Sequence, residues 1–459
     1  SACITASVFA FAQTNPAITS WLQNTTVKGR HYVSGNSTAI TDASLTANVQ
    51  SVQYSANFVY ATTQGIPSYV VGPYLDGNPS QATNQNAIFK FPLTPVQNTA
   101  TAVSTTGGNI GVFINGAAMF DYRDGVSWKN STGAYAGGPI GGMGDGVWNR
   151  DAIPAEKAGF DCSKGHPAMG NYHHHQNPSA FDLDLNVIST ICNLYDADGL
   201  YALDSTVHSP LIGFAYDGFP VYGAYAYKNT NGTGGIVRMK SSFSLRNITV
   251  RNTLYTGASV TAGPNVSTTY PLGTFKEDYQ FITPTASDYL DYHNGRFCVT
   301  PEYPAGTYCY FATVDANWNS AYPYLIGPTY YGTKVAAKVT SISESVTSYT
   351  ASSTGVNSNS INDGKVNVFP NPASDLIAIQ IKDLVKENYD VVLYDVTGKV
   401  VEQKTLYQGS TIVYFDTKTL YSGVYFVKII VGDNVITKKI IIEKYRVNIT
   451  CFKSIFCGL

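Results

Sequence analysis

Short runs of alternating apolar and polar residues dominate the chain, and they predict strands rather than helices. The pattern is clearest near the C-terminus. Leu376–Ile381, Asp390–Tyr394, Val400–Lys404, Thr411–Asp416, Gly423–Val431 and Val435–Ile442 alternate with period two, and turn chemistry around Gly398, Gly409, Gly423 and Gly432-Asp433-Asn434 separates them. Strands of this length and spacing predict a small Ig-like β-sandwich over 365–444. Upstream, Gln13–Thr333 has frequent Gly, Asn and Pro turns and no long helical period, and Asp151–Gly159 (DAIPAEKAG) is the best short-helix candidate. Between the two regions, 335–364 is polar and rich in Ser, Thr and Asn from Val339 to Asp363, which predicts a flexible linker. The expected fold is therefore mostly β. It comprises a disulfide-containing β-rich domain over 13–334, with a candidate internal break at 103–108, then the linker and the sandwich; 445–459 is an atypical tail.

Composition narrows the function classes. The 459 residues exceed what one core usually supports. Charged residues are only 13% and net charge is −2, so the cationic footprint that nucleic acid requires is missing. No run of 18 apolar residues exists to form a transmembrane helix. Residues 1–12 (SACITASVFAFA) are small, apolar and uncharged and close on Ala10-Phe11-Ala12, the pattern of a signal-peptide remnant with Gln13 as mature N-terminus.

Export makes cysteines candidates for disulfides. Cys298 and Cys309 lie symmetrically about Tyr303-Pro304 in a turn-like PEYPAG segment, which predicts that they face each other across a hairpin; Cys162 with Cys192 follows by elimination.

Six of the seven histidines lie between 166 and 293, and three are adjacent in Tyr172-His173-His174-His175. In extended chain His173 and His175 share one face, while Tyr172 and His174 share the other. His166, across the Ala168-Met169-Gly170 turn, is the natural third ligand of a metal held by His173 and His175, with His208 as a candidate fourth. Imidazole suits Zn or Cu, and the spacing does not choose between them. Asp217, before a Gly-Phe-Pro turn, and Tyr172 are candidates to orient a ligand imidazole, although for Asp217 a plain Asx-turn is the simpler reading. Asp196-Ala197-Asp198-Gly199 has a calcium-loop flavour without the bidentate Glu of an EF-hand. A general-base role for His173 or His175, or a plain hydrogen-bonded strand, competes with the metal reading.

Two resemblances rest on quoted residues. VNVFPNPASDLIAIQI, LYDVTGKVV and YSGVYFVKIIVGDNVITKKIIIEK resemble the C-terminal sorting domain of the type IX (Por) secretion system. That resemblance implies the type IX machinery as partner and an extracellular or outer-membrane-surface location. FDCSKGHPAMGNYHHHQNP, HSPLIGFAYDGFPVYGAY and LDYHNGRFCVTPEYPAGTYCYF resemble the YHYH domain family of secreted bacterial proteins over about 108–333, with Tyr172–His175 on the name motif and His174 in place of its Tyr. It supplies a His cluster but no reaction. The expected function is surface or extracellular binding of a transition metal. A metal-dependent hydrolase or oxidase at the same site is one alternative. A structural or adhesive surface protein is another, with a cell-surface glycan or lipopolysaccharide as a further candidate partner.

Overall fold

The computed structural model describes residues 14–32, 39–74, 81–161, 163–178, 205–335, 338–350, 366–381, 388–396, 398–408, 410–431 and 434–444. The expectations for residues 1–12, Cys162 with Cys192, the 196–199 loop and the 445–459 tail lie outside them. The chain divides into two compact units, Ser1–Ala351 and Ser352–Leu459. Both are mostly β, as the alternation predicts.

The first unit is built on an eight-stranded mixed sheet. Its order is His166–Ala168, Asn171–His174, Ala118–Phe120, Asn109–Phe113, Leu211–Ala215, Pro220–Tyr222, Thr307–Phe311 and Gly295–Cys298. A five-stranded antiparallel sheet runs Lys338–Val339, Ala87–Pro92, Phe58–Thr63, Val49–Tyr54 and Thr347–Tyr349. The two sheets share one hydrophobic core. Trp21 sits within it, 5.5 Å from the Phe91 ring and 5.4 Å from the Phe214 ring. Every residue of Leu211–Ala215 is buried, the signature of a strand covered on both faces.

Two expectations change here. The linker expected over 335–364 is in part paired strand, because Lys338–Val339 bonds to Ala87–Pro92 and Thr347–Tyr349 to Val49–Tyr54. Its Ser/Thr-rich composition suits an edge strand as well as a coil, and partners distant in sequence decide the outcome. The candidate break at 103–108 lies inside the first unit, where the Thr105 hydroxyl donates to Gly327 O and Tyr330 N donates to Val103 O.

The cysteine expectation also changes. The hairpin pairs Arg296 with Cys309 and Cys298 with Thr307, so it folds about Glu302–Tyr303 instead of Tyr303–Pro304. One residue at the centre displaces the pairing by two. Cys298 and Cys309 are therefore diagonal neighbours on one face, both buried, with free thiols rather than a disulfide.

The second unit matches its sequence pattern closely. Val366–Phe369, Leu376–Ile381 and Ile412–Asp416 form one antiparallel sheet, and Val400–Leu406, Tyr389–Asp395, Gly423–Val431 and Asn434–Ile442 form another. Their inward residues, among them Ile377, Ile379, Phe415, Leu393, Val427 and Ile440, make a single core.

Candidate metal centre

The predicted helix is real and starts the site. Residues Ala152–Glu156 form one α-turn, continued as a 3-10 turn over Lys157–Gly159, and the Asp151 carboxylate caps it by accepting from Ile153 N at 3.0 Å. Glu156 lies at its end. Ten residues on, His166–Ala168 pairs antiparallel with Asn171–His174 in the register His166 to His173 and Ala168 to Asn171. The two-residue turn, Met169-Gly170, has both residues at positive φ, which suits a tight hairpin. Gly170 is required for space too, since a Cβ there would stand 2.1 Å from Thr83 Oγ1. The hairpin sets His166 beside His173.

The alternation across the motif holds. His173 and His175 face one way, with their Nε2 atoms 3.2 Å apart. Tyr172 and His174 face the other, where Tyr172 OH donates to Asp161 Oδ2 at 2.9 Å and His174 Nε2 meets Tyr69 OH at 2.9 Å. Gly165 permits that packing, because a Cβ on it would lie 2.5 Å from Tyr172 OH. Ligand atoms of His166, His173 and His175 all lie within 4.8 Å of one another. Phe120 stacks on His173 at 3.7 Å and Phe160 meets His166 edge-on at 4.9 Å, so both rings are pinned.

A carboxylate completes the group. Glu156 Oε2 is 3.4 Å from His166 Nε2 and 3.1 Å from His175 Nε2. Neither contact has hydrogen-bond alignment, and Glu156 Oε2 and both ring nitrogens of His166 are buried with no hydrogen-bond partner. Orphaned buried polar atoms are costly unless something outside the protein satisfies them. Ligand atoms about 2.0–2.1 Å from a tetrahedral ion stand about 3.3 Å from each other. The 3.2 Å between the His173 and His175 Nε2 atoms matches that edge, and Glu156 Oε2, 3.4 and 3.1 Å from His166 and His175, faces the same space. The donor set fits a transition metal.

Tautomers follow from the backbone. His173 Nδ1 donates to Asn171 O at 2.9 Å and His175 Nδ1 to Asp121 O, which leaves both Nε2 lone pairs free to ligate. Burial, then the neighbouring His166 and His175, hold the His173 imidazole well below its ordinary value and hence neutral. Burial also opposes charge on His175, but the adjacent Glu156 outweighs it and lifts the imidazole. Burial would raise the Glu156 carboxyl, yet the facing His166 and His175 win and keep it well below the usual range. Without an ion, Glu156 is the counter-charge of the cluster.

Other predicted residues lie elsewhere. Asp217 is fully buried and accepts from Tyr310 OH, from Gly332 N at 2.8 Å and from Phe219 N at 3.2 Å. It anchors a turn, and burial lifts its carboxyl to about 6. His208 donates from Nδ1 to Ser209 O at 2.8 Å and packs on Tyr222 and Tyr227, outside the cluster. Tyr172 supports the back of the strand and does not orient a ligand ring. Backbone carbonyls do the orienting that was expected of Asp217. Sequence reasoning missed Glu156 and Asp121; a carboxylate on the candidate helix was visible, but not the face it would present.

A family model described as YHYH protein matches residues 88–323, more than half of the chain. The chain belongs to the YHYH protein family. A second family model, a secretion system C-terminal sorting domain, matches residues 367–443. The protein is thus a secreted or cell-surface protein, and its sorting domain implies the type IX secretion machinery as partner. A search of curated proteins finds no match. The one departure from the family's name motif, His174, falls on the face away from the cluster and leaves the candidate ligands untouched.

Proposed function

We propose that this YHYH protein binds Zn or Cu through His166, His173 and His175, and that Glu156 serves chemistry at the ion. The observation that carries the reading is the convergence of three imidazoles, whose ligand atoms all lie within 4.8 Å of one another, on the Glu156 carboxylate, with His166 Nε2 and Glu156 Oε2 both lacking a hydrogen-bond partner. The cluster forms part of the wall of a cleft of about 740 Å³. Structural metal sites are closed, whereas a site on a cleft keeps a position for substrate or water. That favours a metal-dependent hydrolase over passive metal storage. The ion would supply Lewis acidity. Glu156 has a side chain 17% exposed against 8% for His166 and 2% for His175, so it stands nearest the cleft and is placed to accept a proton from an attacking water. In the second unit, three strands packed on four over one core support the Ig-like reading of the sorting domain.

The test is metal titration of chelator-stripped protein. One equivalent of Zn is expected for wild type and for Glu156→Gln, and none for His173→Ala or His175→Ala. Hydrolysis of p-nitrophenyl ester and phosphate probes should require both the ion and Glu156. Failure of wild type to take up Zn or Cu would overturn the reading.

A further inference from the structure

The cleft in front of the histidines contains two arginines that the metal reading does not use. Arg123 and Arg150 line it together with Glu156, His166, His173 and His175. Both are fixed from behind by buried carboxylates. Arg123 Nε donates to Asp121 Oδ1 at 2.6 Å, and its Nη2 to Asp121 Oδ2 at 3.0 Å and Thr105 O at 2.6 Å. Arg150 Nε pairs with Asp124 Oδ2. Asp121 and Asp124 side chains have no exposure, while those of Arg123 and Arg150 keep 21% and 17%. The arginines are therefore held rigid yet open.

Their donors are only partly spent. Arg123 retains Nη1, and Arg150 retains both Nη1 and Nη2, with no protein acceptor among the described residues. Tyr122 and Tyr135 support the two guanidiniums at 5.4 and 5.1 Å. One residue joins this pair to the histidines: the Asp121 carbonyl orients His175 while its carboxylate orients Arg123. Asp151 pairs in register with Arg123 and caps the helix carrying Glu156, so Arg150 stands one residue from that junction. Planar forks held by ion pairs match oxyanions in two-point fashion and lose little entropy on binding. Of the lining charges, Glu156 and Asp124 offset the two arginines, and a divalent ion at the histidines would make the cleft net positive.

We propose that the cleft selects substrates bearing an oxyanion, a phosphate or carboxylate group, with Arg150 and Arg123 as its anchors beside the metal centre. The substrate class rests on the metal reading for the reacting end, and on the arginines alone for the anchored end.

The experiment titrates inorganic phosphate and, separately, acetate into the full-length protein by calorimetry, Zn-loaded and chelator-stripped. Zn-loaded wild type should bind one of the two, and which one names the oxyanion. Arg150→Gln should weaken that affinity at least tenfold with Zn stoichiometry intact; Arg150→Lys, which keeps the cation beside Asp124 but loses the fork, should fall between. A purely structural role for the ion pair predicts a lower melting temperature and unchanged affinity. Equal affinity in wild type and Arg150→Gln, or Zn uptake with no binding of either anion, overturns the proposal and leaves the metal centre standing. Arg150-dependent anion binding without any Zn uptake supports the anchors and removes the metal centre alone.

Discussion

Replacing His174 and replacing His173 should have opposite consequences, although the two are adjacent in sequence. His174 is fully buried, its Nε2 meets Tyr69 OH at 2.9 Å, its Nδ1 meets Lys164 O at 3.1 Å, and its ring packs edge-on to Phe113 and Tyr172. Burial pushes its imidazole down to about 3, so it works as a neutral hydrogen-bonding wedge. Truncation to Ala removes a partner from each of two buried groups, at about 1–3 kcal/mol each, and leaves a cavity. A total of about 3–5 kcal/mol is expected on these grounds. Unfolding entropy of about 2.1 cal/mol/K per residue, over roughly 350 residues of the first unit, converts this to about 4–7 °C in Tm. Metal should stay bound, because His174 faces away from the ion. His173→Ala should instead lose the ion, and with it the linkage stabilisation of about 2.7 kcal/mol at a hundredfold excess over Kd, about 4 °C. The assay is thermal melting with and without chelator, alongside elemental analysis of each variant. Wild type and His174→Ala should both drop about 4 °C on chelation, the second from a lower start, and His173→Ala should not respond. Equal metal loss in the two variants, or a wild type indifferent to chelator after loading with Zn or Cu, would refute the reasoning.

Three further outcomes are expected. Burial lifts the Asp151 carboxyl to about 8 even though Tyr324 OH donates to it at 2.7 Å, with Asp124 and His175 as the charges nearby. The native state then holds a proton that the unfolded chain has released. This contribution is full below the unfolded value and is lost as pH rises through about 8, at up to tenfold in the folding constant per pH unit. Asp161 and Asp217 are lifted only to about 6, whereas the His175 imidazole is lifted as well, so denaturant melts of metal-free protein between pH 6 and 8 should show a slope carried by Asp151 and His175 together, and Asp151→Asn should reduce it. Cys298 and Cys309 should resist a thiol reagent in native protein and both label after unfolding without reductant; labelling of neither would restore the disulfide. Deleting residues 365–459 should trap the protein inside the cell, and full recovery of the truncated chain in the medium would contradict the sorting role.

The sequence alone determined what depends on local periodicity. Alternation placed six strands of the second unit to within a residue or two but missed Val366–Phe369, and the same rule separated His173 and His175 from Tyr172 and His174. A Met-Gly turn between His166 and His173 made their pairing legible, since a hairpin's partners are set by its loop. Where the loop is longer, as between Cys298 and Cys309, a one-residue error at the centre shifted the register, and composition could not correct it. Tertiary structure decided the rest. Glu156 joins the histidines because the capped helix packs against the hairpin, and no spacing rule relates residue 156 to residue 175. Asp121 orients His175 from a different strand connection, while Asp217, whose local motif looked suited to that task, is spent on Tyr310 and a turn. Lys338–Val339 and Thr347–Tyr349 are strand because edges distant in sequence pair with them. Contacts between residues far apart in the chain are settled by which surfaces the whole core brings together, and local pattern does not carry that information.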